Sequence, residues 1–363
     1  MRIAYLSAGI SVHDRRYLQK MVERGHQPFL ISFWNDKVDF HMEGVEFFHC
    51  RPKYFSKIKK IIYLRKLLRK IRPDVLHTGF LQTHGFIGSF MKEYPILSMP
   101  WGSDVLILPE KSLFHKLVAK HVLRRADMIT CDCELVKRRI VELVKYDPAK
   151  IVVIPCGVDL KIYYPQESSI REKLGWQDNR ILIMNRSFKP VYGIEYFIEA
   201  LPEVIIRYPE TRVVLAGDGP LGTEIRRRVS ELGLKDYVHF AGFIDNDKVM
   251  ADHLNSADIY ISTSLSDGTS VSLLEAMACR LPVVVTDLPA NREWIEDGIN
   301  GYVIPAQDSK ILAQKILNLA KDDNLRKRMA ELNFQKAREK ADWDKNFIKL
   351  EEMYKTICQE YSQ

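Results

Sequence analysis

Ser264-Leu265-Ser266-Asp267-Gly268-Thr269-Ser270-Val271-Ser272-Leu273-Leu274-Glu275-Ala276-Met277-Ala278 sets two carboxylates eight positions apart around a turn of small residues. The apolar run at 259–263 before it reads as a buried strand, and the run after it as an apolar helix with Glu275 in its first turns. Strand, small-residue turn, helix is the unit of a parallel α/β sheet, and its turn leaves the N–H groups of Gly268, Thr269 and Ser270 facing outward where the helix dipole favours an anion. Carboxylates beside such a turn accept hydrogen bonds from paired sugar hydroxyls, so a sugar nucleotide fits the place. Ser272-x-x-Glu275 also matches a capping box, in which Glu275 only satisfies a backbone donor at the helix start.

The same unit recurs on both sides. Strands are predicted near 2–7, 28–33, 45–49, 74–77, 96–99, 127–131 and 151–154, with helices near 14–24, 57–71, 82–92, 113–124 and 134–145 between most of them. After Cys156-Gly157-Val158-Asp159 and the polar segment to Ser169, which reads as a linker, the pattern restarts. Strands near 181–184, 212–216, 237–240, 258–263, 282–286 and 302–304 alternate there with helices, and charged helices fill the chain from about 323. The prediction is an α/β protein of two Rossmann-like, doubly wound domains facing across a cleft, with ligands at the carboxyl ends of the strands. Residues 1–160 form the N-terminal domain, 161–342 the C-terminal domain, and 343–363 a helix crossing back to the first.

Composition agrees. The 363 residues are 46% hydrophobic and 28% charged, ordinary for a protein with large buried cores. No apolar run approaches the roughly 20 residues of a membrane span, and Met1-Arg2-Ile3-Ala4-Tyr5-Leu6-Ser7 reads as a strand rather than a signal peptide. A cytoplasmic location is expected. The six cysteines have no framework spacing and read as free thiols in a reducing compartment.

Charge is uneven. Residues 1–160 carry 27 Lys and Arg against 16 Asp and Glu, whereas 161–363 carry 27 against 31. Residues 51–72 hold ten basic residues and no acidic one, interleaved with Ile58, Ile61, Ile62, Leu64, Leu67, Leu68 and Ile71. That is an amphipathic helix whose polar face suits an anionic membrane surface, or else a solvated face of a packed helix. Nucleic acid is not expected, because no recognition motif or stacking platform accompanies the charge.

The chain resembles the retaining glycosyltransferases of family four, built on the GT-B fold. The resemblance rests on Ile154-Pro155-Cys156-Gly157-Val158-Asp159, Leu215-Ala216-Gly217-Asp218-Gly219-Pro220, Val238-His239-Phe240-Ala241-Gly242-Phe243, the stretch 267–278, Leu281-Pro282-Val283-Val284-Val285-Thr286 and Asp297-Gly298-Ile299-Asn300-Gly301, in that order. It implies transfer of a sugar from a nucleotide diphosphate to an acceptor hydroxyl with retention, with the nucleotide sugar as co-substrate and no cofactor or metal required. Catalytic positions implied are Arg186, which neutralises the departing diphosphate, Lys189, Asp267 at the donor sugar and Glu275 at the ribose hydroxyls. Donor binding further involves Gly9, Asp218, Phe243 beside the base, Gly268, Thr269 and Ser270.

Four departures from the family pattern stand out. Asp267 replaces the usual Glu. Where the family has Lys-Gly the chain has Tyr192-Gly193, so Lys189 either supplies the missing cation or points to solvent. The first loop keeps only Gly9 of two glycines, which serves the diphosphate or simply the turn. Trp101 stands where many relatives carry a histidine, which leaves Trp101 or Asp104 to line the sugar pocket.

His77 and His84 flank Thr78 to Thr83 after the strand Asp74-Val75-Leu76 and are candidates to face the acceptor, or bystanders. Asp245-Asn246-Asp247 spells a metal-binding D-x-D, but its place before a helix reads as an N-cap.

The expected donor is a UDP-sugar first and GDP-mannose next, and the basic stretch 51–72 leads to the expectation of a lipid-linked or cell-surface glycan as acceptor at the inner membrane face. Competing readings are a sugar-nucleotide 2-epimerase and a non-catalytic sugar-nucleotide-binding protein. A dinucleotide oxidoreductase is disfavoured because no G-x-G-x-x-G joins the first strand to its helix.

Overall fold

The computed structural model describes residues 1–9, 11–33, 40–50 and 56–361. It contains two compact units, Met1–Pro155 with Lys345–Gln363, and Cys156–Asp344.

The first unit is built on seven parallel strands: β1 (Arg2–Leu6), β2 (Gln27–Ser32), β3 (Glu46–His49), β4 (Val75–Gly79), β5 (Ile96–Met99), β6 (Met128–Cys131) and β7 (Ile151–Val153), in the spatial order β3-β2-β1-β4-β5-β6-β7. Leu6 lies opposite Ile31 on one side and Thr78 on the other, so β1 is the pivot from which the chain winds outward in both directions. On one face Leu64, Leu67, Leu68 and Ile71 of the helix Lys57–Ile71 close over Ala4, Leu6, Phe29, Ile31 and Leu76.

The predicted helix 82–92 is instead a π-turn, Leu81–Gly85, followed by a single helical turn, Phe86–Gly88. Gly85, at the junction of the two, keeps helical φ −58° and ψ −45°. A Cβ at Gly88 would lie 2.6 Å from Thr78 Cγ2 and one at Gly85 3.2 Å from Val122 Cγ1, so close packing rather than helix propensity sets the backbone here.

The helix Trp343–Tyr361 belongs to this unit beyond its first two residues. Phe347, Leu350, Tyr354 and Ile357 recur at helical spacing and are fully or almost fully buried. Tyr354 Oη lies 2.6 Å from His77 Nδ1. Glu351 is paired with Arg24 at 2.6 Å and with His26 at 2.8 Å.

Two histidines of this unit are buried neutral. Burial lowers His77 and His84 to about 3, with Lys60 adding to the effect on His84. Below the ordinary imidazole value of 6.5 the unfolded chain takes up protons that the folded one refuses, so stability is lost as pH falls from 6.5 toward 3. Each imidazole contributes a slope of about 1 kcal/mol per pH unit in that window. Urea melts of wild type and His84→Gln between pH 7 and 5 are expected to show a shallower acid loss in the variant; equal slopes would refute this assignment.

The second unit has six parallel strands: β8 (Arg180–Met184), β9 (Thr211–Leu215), β10 (Val238–Phe240), β11 (Ile259–Ser262), β12 (Val283–Thr286) and β13 (Gly301–Ile304), in the order β10-β9-β8-β11-β12-β13. Its core runs from Leu182, Val213 and Ile261 to Phe197, Leu201, Leu312 and Ile316 on the covering helices. The linker segment packs on the chain's return path: Val158 N donates to Ala341 O, Trp343 N donates to Val158 O, and a Cβ at Gly157 would lie 2.3 Å from Ala341 O.

Candidate active site

In the second sheet the chain leaves β8 toward β9 on one side and later places β11 on the other. Loops after two strands that diverge in this way bound an open crevice, the usual ligand site of such sheets. Asn185 and Arg186 follow β8 there, and residues 263–270 follow β11.

The Arg186 side chain is 8% exposed, and its Nη2 lies 2.5 Å from Asp267 Oδ2. Nη1 donates to Ser270 Oγ at 2.8 Å, and Cζ sits 4.0 Å from the centroid of the Tyr192 ring. Burial opposes its charge; the Asp267 carboxylate outweighs that and holds the guanidinium protonated. Burial also lifts the Asp267 carboxyl above its usual range, against the pull of Arg186 and the Gly268 amide. A cation is thus fixed from three sides before any ligand arrives.

The helix Val271–Ala278 is capped by Ser270, whose Oγ accepts from Leu273 N at 3.4 Å. Ser272 therefore lies inside the helix, and the capping box with Glu275 does not form. Glu275 is buried all the same, and its Oε2 accepts from Asn185 Nδ2 at 3.2 Å. Asn185 O accepts from Ser272 Oγ at 3.1 Å, so this asparagine ties the end of β8 to the helix. Three buried polar atoms here have no hydrogen-bond partner among the described residues: Arg186 Nε, Asn185 Oδ1 and Tyr260 Oη. Groups in that state are normally completed by water or a ligand.

The Gly217-Asp218-Gly219 loop buttresses Arg186. A Cβ at Gly217 would stand 2.1 Å from Arg186 O, and one at Gly219 2.7 Å from Phe188 O, while Phe188 N donates to Asp218 O at 2.9 Å. Gly217→Ala must push the arginine backbone aside, because no flexible side chain can yield. A displacement of this kind is expected to lower kcat by about 100-fold, with a smaller loss in melting temperature; steady-state rates beside a thermal melt check it, and unchanged rates would remove the buttress.

The remaining expected donor residues spread outward. Thr269 and Ser270 are buried and Gly268 is half-buried. Phe243 follows β10 and is 65% exposed. The Asp218 carboxylate accepts from the Gly219 amide at 2.7 Å. Lys189 is exposed, with no side-chain partner among the described residues; the residue against Arg186 is Tyr192.

In the first unit the expectations fare differently. Gly9 has φ +75° and its N–H donates to Asp14 Oδ2 at 3.1 Å, within the capping box that Ser11 and Asp14 form. That amide serves the turn. Trp101 is half-buried with its ring 5.4 Å from that of His13, and its buried indole N–H has no partner among the described residues.

Asp104 is fully buried and accepts from Leu81 N at 2.8 Å and Trp101 N at 2.9 Å. Burial raises its carboxyl to about 7. It braces two loops rather than presenting a carboxylate to a sugar. His77 lies within β4, fully buried against Tyr5, Tyr17 and Tyr354, because the strand runs two residues further than predicted. His84 is buried too, with Nε2 accepting from Phe33 N at 3.1 Å. Neither has a surface to offer an acceptor.

The D-x-D reading resolves in favour of a cap, but through its asparagine: Asn246 Oδ1 accepts from Lys248 N and Val249 N, and Asp247 accepts from Tyr163 Oη at 2.9 Å. Among the described residues no group of three His, Cys, Asp or Glu could hold a metal ion. Among them also, no helix is long and apolar enough to cross a membrane.

Sequence resemblance had already pointed to Arg186, Asp267 and Glu275; Asn185 and Tyr260 carried no motif. The one available signal for Asn185 was its position, directly after a switch-point strand.

Comparison with known proteins gives this geometry its setting. The family profile described as glycosyl transferases group 1 matches residues 166–336, and that of glycosyltransferase family 4 matches residues 7–162. N-acetyl-alpha-D-glucosaminyl L-malate synthase of Bacillus anthracis is 24% identical over 358 residues, covering 93% of this chain and 90% of that protein. The phosphatidyl-myo-inositol mannosyltransferase of Mycobacterium leprae is 30% identical over 179 residues, 49% of this chain and 46% of that protein. Anabaena HepE, solved with UDP and glucose, superimposes with a TM-score of 0.82 at 20% identity, covering 98% of this chain and 100% of that one. Sucrose-phosphate synthase from Thermosynechococcus elongatus does so with 0.84 at 18% identity, covering 98% and 99%. The two profiles divide nearly the whole sequence between them and both describe one class of enzyme, so the chain belongs to the group 1, family 4 glycosyltransferases of GT-B fold and uses a nucleotide-sugar donor.

Proposed function

We propose that the enzyme transfers a hexose with retention from a UDP-sugar, or failing that from GDP-mannose, to a hydroxyl of a lipid-linked or cell-surface glycan. The observation that carries this reading is the buried Arg186, pre-set by Asp267, Ser270 and Tyr192 beside Glu275. In this reading Arg186 takes the charge of the departing diphosphate, Asp267 holds a donor-sugar hydroxyl, and Glu275 holds the ribose hydroxyls. The amides of Gly268 and Thr269 bind sugar or phosphate, and Phe243 lies beside the base.

The bond from the anomeric carbon to the diphosphate breaks as the acceptor oxygen bonds on the same face, and the departing phosphate oxygen takes the acceptor's proton. No protein nucleophile or metal is needed, because positioning and fixed charge carry the rate. The first unit supplies the acceptor side. Attachment to an anionic membrane surface runs through the helix Lys57–Ile71; residues 51–55 of the predicted basic stretch lie outside the described residues. Curated relatives that act on phosphatidylinositol support an acceptor of this kind.

Incubating the enzyme with UDP-glucose, UDP-N-acetylglucosamine or GDP-mannose, with and without a lipid-linked glycan fraction, tests this. Acceptor-dependent release of nucleotide diphosphate with a product of unchanged anomeric configuration is expected. A converted sugar still attached to its nucleotide would make the enzyme an epimerase, and binding without turnover would make it a sensor.

A further inference from the structure

Two helices of the first unit carry unusual surfaces. Residues 57–72 and 111–125 together contain thirteen Lys and Arg and no Asp or Glu. Five large apolar side chains on them face water: Ile58 (69% exposed), Ile62, Leu113 (71%), Phe114 (57%) and Leu117. On the helix Lys57–Ile71, Ile58, Ile62 and Arg65 follow one another at steps of four and three, which places them along one face. On the helix Leu113–Arg125, Phe114, Leu117, His121 and Arg125 do the same.

A line of rings joins the helices. Lys57 Nζ sits 4.8 Å from the Phe86 centroid and 4.9 Å from that of Phe114. Phe86 lies 6.0 Å from the His121 ring and 5.2 Å from Phe90. The line ends in a cavity of about 470 Å³ lined by Arg65, Phe90, Lys92, Glu93, His121 and Arg125.

That cavity is cationic and incompletely satisfied. Its one carboxylate, Glu93, is already paired with Arg65 at 2.8 Å. Lys92 and Arg125 are exposed, with no side-chain partner among the described residues, and the buried His121 Nε2 has none either. Arginine and lysine converging with an imidazole suit the oxygens of a phosphate ester. Exposed apolar side chains on the same helix faces suit the chains attached to it.

We infer that this strip is a site for an anionic phospholipid of the bilayer, with the headgroup phosphate held by Lys92, His121, Arg125 and Arg65 and the acyl region against Ile58, Ile62, Leu113, Phe114 and Leu117. The inference rests on the membrane attachment proposed above and gives it a headgroup.

Co-sedimentation of the full chain with phosphatidylcholine vesicles, with and without phosphatidylglycerol, tests both levels. Wild type is expected to bind the anionic vesicles preferentially. The Lys92→Ala/Arg125→Ala variant should lose roughly 10- to 30-fold of that affinity while keeping the wild-type melting temperature. Leu113→Ser/Phe114→Ser should weaken binding to both vesicle types.

Wild type failing to bind anionic vesicles would end the attachment reading and this inference together. Wild type binding with Lys92→Ala/Arg125→Ala undiminished would overturn the headgroup site alone. A second arm follows the His121 ring by NMR. Short-chain phosphatidylglycerol should shift it at concentrations where inorganic phosphate does not; equal shifts would make the cavity a free-phosphate site and refute the lipid.

Discussion

Replacing Arg186 by alanine is expected to lower kcat by two to three orders of magnitude, the usual effect of removing a donor that stabilises charge in the transition state. The substitution also leaves Asp267 mostly buried without its partner, which costs up to about 3 kcal/mol of stability. A double variant, Arg186→Ala/Asp267→Asn, separates the two consequences. Removing the orphaned carboxylate should restore most of the melting temperature and none of the turnover. Arg186→Lys keeps a charge but cannot reach Asp267 and Ser270 together as the planar guanidinium does, so it should recover only part of the rate. Near-normal rates in Arg186→Ala would remove the arginine from the reaction.

Glu275→Gln should raise the donor dissociation constant by about 10- to 100-fold, the loss expected when a charged acceptor of paired hydroxyls becomes neutral. Shape is conserved and Ser270 already caps the helix, so the melting temperature should stay close to wild type. Calorimetric titration with UDP and GDP in both proteins gives the answer and identifies the base at the same time. Unaltered affinity for every nucleotide would return Glu275 to a purely structural role, as a partner of Asn185.

All thirteen strands of the described residues were legible because buried parallel strands are short apolar runs bounded by turn residues, and the helices between them repeat at a different period. Strand order was legible only as a class. The helix predicted at 82–92 shows where periodicity misleads: it opens as a π-turn at Leu81 and its helical part ends at Gly88, where Gly85 and Gly88 pack on Val122 and Thr78, which lie far off or on another element. At the site, the spacing of two carboxylates pointed to Asp267 and Glu275 and the family resemblance added Arg186, yet Ser272-x-x-Glu275 read equally well as a ligand site or as a capping box. Only the actual start of the helix at Val271 rules out the box.

Tyr192 was visible as a departure, but its place against the guanidinium is a fact of tertiary packing. His77 and His84 looked like loop residues because a histidine at a strand's end and one inside it are spelled alike. Asp104 looked like a sugar ligand for a similar reason, since a carboxylate that braces loop amides and one that binds hydroxyls need the same residue.

The helix Trp343–Tyr361 has a bearing on biosynthesis. Tyr354, Glu351 and Phe347 complete the interior of a unit whose other residues precede Pro155. The ribosome needs roughly 10 to 40 s to translate the intervening stretch at ordinary elongation rates. During that interval the earliest part of the nascent polypeptide waits with His77 and its tyrosine neighbours uncovered, while the later-made unit is free to mature first. Chaperone dependence, and sensitivity to truncation near the carboxyl terminus, should therefore concentrate in the half of the molecule that is synthesised earliest.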